Sequence, residues 1–152
     1  MMNKQQLTGM YGYFKMVHGV TRRMVDQVPT DKIDFKPTPE QRSFAETVVH
    51  MYAFLDSSMS TAKAGKFTSD EEVKVTSKQE MLDFVDKKFA HAMNTLETIT
   101  DDDLPKVVEA YGQSFPAWQF PAFAYDEHWH HRGALTVYLR LLGIEPLMIY
   151  DY

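Results

Sequence analysis

The 152-residue chain has no cysteine. A disulfide framework, a thiolate nucleophile of the protein's own and a Cys-ligated zinc are therefore excluded. No run approaches the roughly 18 apolar residues of a membrane span, and the first residues, Met-Met-Asn-Lys-Gln-Gln, hold no apolar signal core. An excess of positive charge is also missing. Sixteen Lys and Arg stand against 21 Asp and Glu, a formal net charge of −5, so nothing recommends nucleic acid or an anionic membrane as partner. The expectation is one cytoplasmic domain over residues 1–152, of a length that supports a single core. Ten methionines suit adaptable packing in a helical core.

What is present is helical periodicity. Leu7, Met10, Tyr11, Phe14, Val17, His18, Thr21, Met24, Val25 and Val28 recur at spacings of three and four and predict a first amphipathic helix, ended by Pro29. His18 lies on its apolar side and reads as a core histidine bonded to a neighbour. A Pro-rich loop follows. Ser43 and Glu46 form a capping box for a second helix, whose stripe runs through Phe44, Val48, Met51, Tyr52, Leu55 and Met59. That helix is apolar nearly all round and should be among the most buried, with His50 inside the apolar stretch.

The segment from Ala62 to Thr76, with its acidic run Asp70-Glu71-Glu72, reads as a helix end and a solvated loop. Ser77 and Glu80 then open a third helix carrying Leu82, Val85, Phe89, Ala92, Met93 and Leu96, with His91 at its boundary. Asp101-Asp102-Asp103 reads as a solvated turn and helix start. Val107 to Tyr111 suits one short helix, and Gly112 to Phe120 an irregular aromatic stretch. Pro121 fits the first turn of a fourth helix that ends at Leu142, before Gly143 and Pro146. The apolar tail from Ile144 should pack back on the body. Four long helices without a β-hairpin signal make an all-α four-helix bundle with two longer connections.

The chemistry is concentrated in Glu127-His128-Trp129-His130-His131-Arg132-Gly133, followed directly by the apolar run Ala134 to Leu142. Residues four apart lie about 40° apart around a helix, one turn up, so Glu127 and His131 share a face. His128 and His131 also share one, at spacing three. One helix cannot complete a metal site, and His50 is the candidate third ligand from another helix. The spacing leaves Glu127 and His128 both open as the partner of His131.

The chain resembles the DinB/YfiT-like superfamily of metal-binding four-helix bundles. The likeness is carried by Arg42-Ser43-Phe44-Ala45-Glu46-Thr47-Val48-Val49-His50, by His130-His131-Arg132-Gly133-Ala134 with its apolar run, and by Leu142-Gly143-Ile144-Glu145-Pro146. It implies an up-down-down-up bundle and a divalent metal (zinc or nickel first, iron or manganese next) held by His50, Glu127 and His131. Relatives more often carry His at the Glu127 position and Gln at Ala134. Glu is a competent ligand for these metals. His130 and Arg132 are expected outside the ligand set, Arg132 in an ion pair with a carboxylate of the first or second helix.

The resemblance further implies a transferase that joins a small-molecule thiol of the bacillithiol, mycothiol or glutathione type to a small electrophile, in stress or detoxification. The alternatives are a hydrolase, with Glu46 or His128 as general base, and a non-catalytic metal-binding bundle. A homodimer is expected through Tyr11, Tyr13, Phe115, Trp118, Tyr150 and Tyr152.

Overall fold

The computed structural model describes residues 1–152. Four long helices dominate: α1 (Lys4–Val25), α2 (Phe44–Ala64), α3 (Lys78–Thr98) and α4 (Gln119–Leu141). Each of the first three starts where a polar side chain satisfies an otherwise orphaned backbone N–H. Asn3 accepts from the Gln6 amide, and Ser43 from the Glu46 amide, in complete capping boxes. Ser77 accepts from the Glu80 amide, but the Glu80 carboxylate turns away to the backbone N–H and hydroxyl of Thr76. Gly65 ends α2 in the left-handed conformation, φ 64°, which costs glycine nothing sterically. Pro121 lies in the first turn of α4 as expected.

Side-chain contacts set the helix directions. Along α1 and α4, Tyr11 donates to the Pro121 carbonyl, Thr21 meets His128, and Gln27 donates to the Glu145 carbonyl, so the two run parallel. Lys4 reaches the Leu96 carbonyl and Lys78 the Asp26 carbonyl, so α1 and α3 run antiparallel. Lys88 binds Asp56, and Lys63 donates to the Thr98 carbonyl, so α2 and α3 run parallel. The order is up-down-down-up, with α2 packed on α3 and α4 and α1 closing the opposite corner. The four-helix bundle with two longer connections is the one that the periodicity and capping pattern predict, and its up-down-down-up order is the one the resemblance implies.

Parallel α2 and α3 need a return path as long as the bundle. The 21-residue α2 spans roughly 32 Å, and the extended segment 65–77 reaches roughly 43 Å. The segment therefore runs back along the helices. Its acidic run is solvated, as expected, and is also tethered to the helices: Asp70 accepts from Ser57, Glu71 from Lys88, and Glu72 lies on His50.

A departure lies between α3 and α4. Residues expected as a short helix and an irregular stretch form a two-stranded antiparallel hairpin, β1 (Val107–Ala110) and β2 (Gln113–Pro116), with Ala110 opposite Gln113. Its two-residue turn has positive φ at both positions, 52° at Tyr111 and 74° at Gly112, the primed turn that matches strand twist. The first of these positions favours Asn, Asp or Gly, and Tyr111 hides the signal. Beneath the hairpin, Val108, Ala110, Ala117 and Phe120 make a small core of their own.

The main core gathers 31 buried residues, and α2 buries more residues than any other helix. Tyr11, expected on a contact surface, is wholly buried in it. The tail packs back as expected, with Arg23 on Asp151 and the Tyr13 and Tyr152 hydroxyls 2.6 Å apart.

His18 is the core histidine expected from α1. The Tyr52 hydroxyl lies 2.9 Å from its Nδ1, and the Phe89 ring stacks on it at 3.5 Å. Burial pushes its pKa down to about 4, with Asp86 opposing and Arg22 adding to the shift. An unfolded chain takes up that proton near pH 6.5. The stability linked to His18 is therefore complete above that value and is lost as pH falls toward 4, by up to about 1.4 kcal/mol per pH unit. Urea unfolding at pH 7 and pH 5 checks this: the loss between the two should shrink in His18→Gln, and an unchanged loss rejects the linkage.

Candidate metal centre

The α2–α4 seam brings three groups together across antiparallel helices. His50 comes from the exposed-side shoulder of α2, and Glu127 and His131 come from one turn of α4. Their potential ligand atoms all lie within 4.8 Å of one another. His131 Nε2 is 2.8 Å from a Glu127 carboxylate oxygen, and His50 Nε2 is 3.7 Å from the same oxygen. The two imidazoles stand perpendicular, with ring centroids 4.9 Å apart. All three side chains are half-buried. Burial lowers the His131 pKa, with Glu127 opposing and His50 and His130 adding to the shift. The balance favours neutral imidazole, the form that binds metal.

The return segment contributes a residue that helical spacing does not reveal. Glu72 lies 2.6 Å from His50 Nδ1. A proton on Nδ1, held by Glu72, leaves the Nε2 lone pair facing Glu127 and His131. Metal-ligating histidines are commonly oriented in this way by a carboxylate. Asp70 also comes within 4.8 Å of His50 and Glu72. Both acids reach the site because α3 runs parallel to α2, and that topology is not visible in local spacing.

The other sequence candidates separate clearly. His128 points to α1: its Nε2 is 2.9 Å from the Thr21 hydroxyl, and its ring meets Phe14 at 4.6 Å. Burial pushes its pKa down to about 3. It does not join His50. His130 is exposed beside His131, and His91 is an exposed residue bound to Asp56. Glu46 is committed to the Ser43 amide and to Lys36 at 3.1 Å, so neither proposed general base stands at the cluster. Arg132 has no carboxylate partner. It donates to the Ile149 carbonyl and lies over the Trp129 ring at 5.5 Å.

The cluster forms part of the wall of a cavity of about 610 Å³ that includes His50 and Glu127. Phe54 of α2, Phe123 of α4, and Tyr111 and Phe115 of the hairpin supply its apolar surface. A second cavity of about 640 Å³ lies under the tail on the far face of α4, between Trp129 and Ile149. None of the three clustered groups reaches it, so the chemistry belongs to the first. Two imidazoles and one carboxylate are the donor set of a catalytic zinc site with open positions, and they equally suit nickel, iron or manganese.

The chain and its fold have relatives. The model of the DinB family matches residues 1–152. The protein YjoA of Bacillus subtilis (strain 168) is 23% identical over 143 residues, which are 91% of this chain and 92% of that protein. The crystal structure of this DinB-like protein superposes with a TM-score of 0.77 at 19% identity, covering 93% of this chain and 96% of its own. A DinB-like protein from Bacillus cereus gives the same TM-score at 20% identity, covering 94% and 97%. The mycothiol-dependent maleylpyruvate isomerase superposes at 0.66 with 14% identity, covering 89% of this chain but 63% of the isomerase. These structural likenesses are to the fold. With the match over its whole length, the chain belongs to the DinB family.

Proposed function

We propose that the protein is a metal-dependent enzyme that activates a small-molecule thiol and transfers it to a small electrophile, with His50, Glu127 and His131 as the metal ligands. The observation that carries this reading is the convergence of three ligand atoms within 4.8 Å, two of the three residues, His50 and Glu127, lining a 610 Å³ cavity. A bound dication supplies Lewis acidity that makes a thiol a nucleophile at neutral pH. Glu72 orients His50, and Glu127 lies between the two imidazoles. In the transfer the thiol gives up its proton to solvent, its sulfur bonds to a carbon of the electrophile, and the leaving group departs with the electron pair of the bond that breaks. The chain has no cysteine, so the sulfur arrives with the cosubstrate. The fold shared with a mycothiol-dependent isomerase supports the assignment.

The test supplies bacillithiol, mycothiol, glutathione or the aromatic thiol benzyl mercaptan with a panel of electrophiles to zinc- or nickel-loaded protein and follows free thiol. The expected result is thiol loss that is accelerated by loaded protein and abolished by chelation. No acceleration with metal bound rejects the transferase. Consumption of the electrophile without any thiol identifies a hydrolase instead.

A further inference from the structure

The hairpin turn puts a bulky aromatic residue where the backbone resists one. Tyr111 has φ 52° at the first turn position, where Asn, Asp or Gly belong. Strained residues persist where the surroundings hold them, and they cluster at ligand clamps. Tyr111 is 64% exposed, so burial in the core does not explain its side chain. Its ring instead meets Phe67 edge-on at 5.3 Å and helps to line the cavity shared with His50 and Glu127.

The same hairpin carries Phe115 to α4, where it packs edge-on against Phe123 at 5.5 Å and against Phe120 at 6.1 Å. On the α2 side Phe54 lies beside the His50 ring, with centroids 6.2 Å apart. Tyr111, Phe115, Phe123 and Phe54 thus bound one space that leads to the metal ligands. Phe120 is buried and anchors the hairpin, so this wall is supported from beneath. Aromatic faces and edges disposed in this way suit a flat ring, through offset and edge-to-face contacts.

Charge narrows the class. Asp70, Glu72, Asp126 and Glu127 line the cavity against Arg42. Even with a dication bound the lining stays one charge negative, which disfavours an anionic ring. We infer that this cavity holds an uncharged aromatic group on the molecule whose sulfur reaches the metal, with hairpin residues Tyr111 and Phe115 as specificity determinants. This rests on the metal–thiol reading above and adds the substrate class to it.

The probe pair is benzyl mercaptan and 2-mercaptoethanol, thiols of similar acidity that differ in the ring. Full-length cobalt(II)-loaded protein is titrated with each while the thiolate-to-cobalt charge-transfer absorption is followed. Benzyl mercaptan should bind at least about ten-fold tighter, a difference of roughly 1.4 kcal/mol. Tyr111→Asn and Phe123→Leu should each cut that preference several-fold, with cobalt content and 2-mercaptoethanol affinity unchanged. Asn is favoured at this turn position, so Tyr111→Asn should unfold no earlier than the parent, which separates a ligand effect from a folding defect. Equal affinity for the two thiols, or an unchanged preference in both variants, overturns the aromatic site. Absence of the absorption with both thiols overturns the metal–thiol reading instead. Saturation-transfer NMR with benzyl alcohol then reads the cavity alone: transfer lost in Tyr111→Asn supports the aromatic site, and no transfer in the parent overturns it.

Discussion

His50→Ala, Glu127→Ala and His131→Ala should each bind zinc or nickel more than about 100-fold more weakly than the parent. Removing only an orienting partner already costs about 10- to 100-fold in metal affinity, and these variants remove a ligand. Elemental analysis of protein purified without an affinity His-tag is the measurement. About one metal per chain in the parent, and little in the three variants, is the expected pattern. His128→Ala should keep its metal, because that ring faces Thr21 and Phe14 rather than His50. Glu72→Gln should fall between, since it leaves three ligands but loosens His50 Nδ1. The half-buried ligands stand at a cavity wall, so the alanine variants should fold. They should lose the stabilisation that bound metal confers, about 2.7 kcal/mol when free metal is 100 times the Kd. Full metal content in all three variants would sink the assignment. Loss in His128→Ala with retention in Glu127→Ala would move the site to the α1 side.

Phe14→Ala should cost about 3–5 kcal/mol of unfolding free energy, a large part of the 5–15 kcal/mol typical of a domain. Phe14 is wholly buried where α1 meets α3 and α4. Its ring lies 5.0 Å from Tyr11, 6.4 Å from Phe89, 5.9 Å from Tyr125 and 4.6 Å from His128. Truncation removes apolar burial and opens a void that rigid aromatic neighbours fill poorly. It also brings space to His128, whose buried neutral ring depends on this wall. Met16, two residues on, is 51% exposed, and Met16→Ala should stay within about 0.5 kcal/mol. Urea midpoints at constant slope compare the two. A Phe14→Ala loss below about 1 kcal/mol would mean that the α1 seam is not packed as described.

Local pattern reaches the helices because each rule involved acts over one or two turns. Ser43 with Glu46, the stripe of α1 and the stop at Gly143 are such short-range signals. The hairpin is different. Its turn residues are Tyr111-Gly112, and Val107 to Tyr111 looks as much like a short helix as a strand. Pairing with the facing strand and burial of Val108 and Ala110 against Phe120 decide between them. Strand preference reflects such packing more than intrinsic backbone choice.

The sequence by itself determined an all-α chain with four long helices, and it set Glu127 and His131 on one face of α4, because helical geometry follows from spacing alone. It also named His50, through an apolar second helix and the motifs shared with the DinB/YfiT-like bundles. Only the tertiary structure separated Glu127 from His128, since the two lie about 100° apart on one helix and the packing of α1 and α2 decides which of them meets His50. The same packing took Arg132 away from any carboxylate. Glu72 and the aromatic wall arose there too, because parallel α2 and α3 force the segment 65–77 back along the bundle and the hairpin folds over the cavity. Those positions depend on which helices are neighbours and in which direction they run, and no local spacing encodes that.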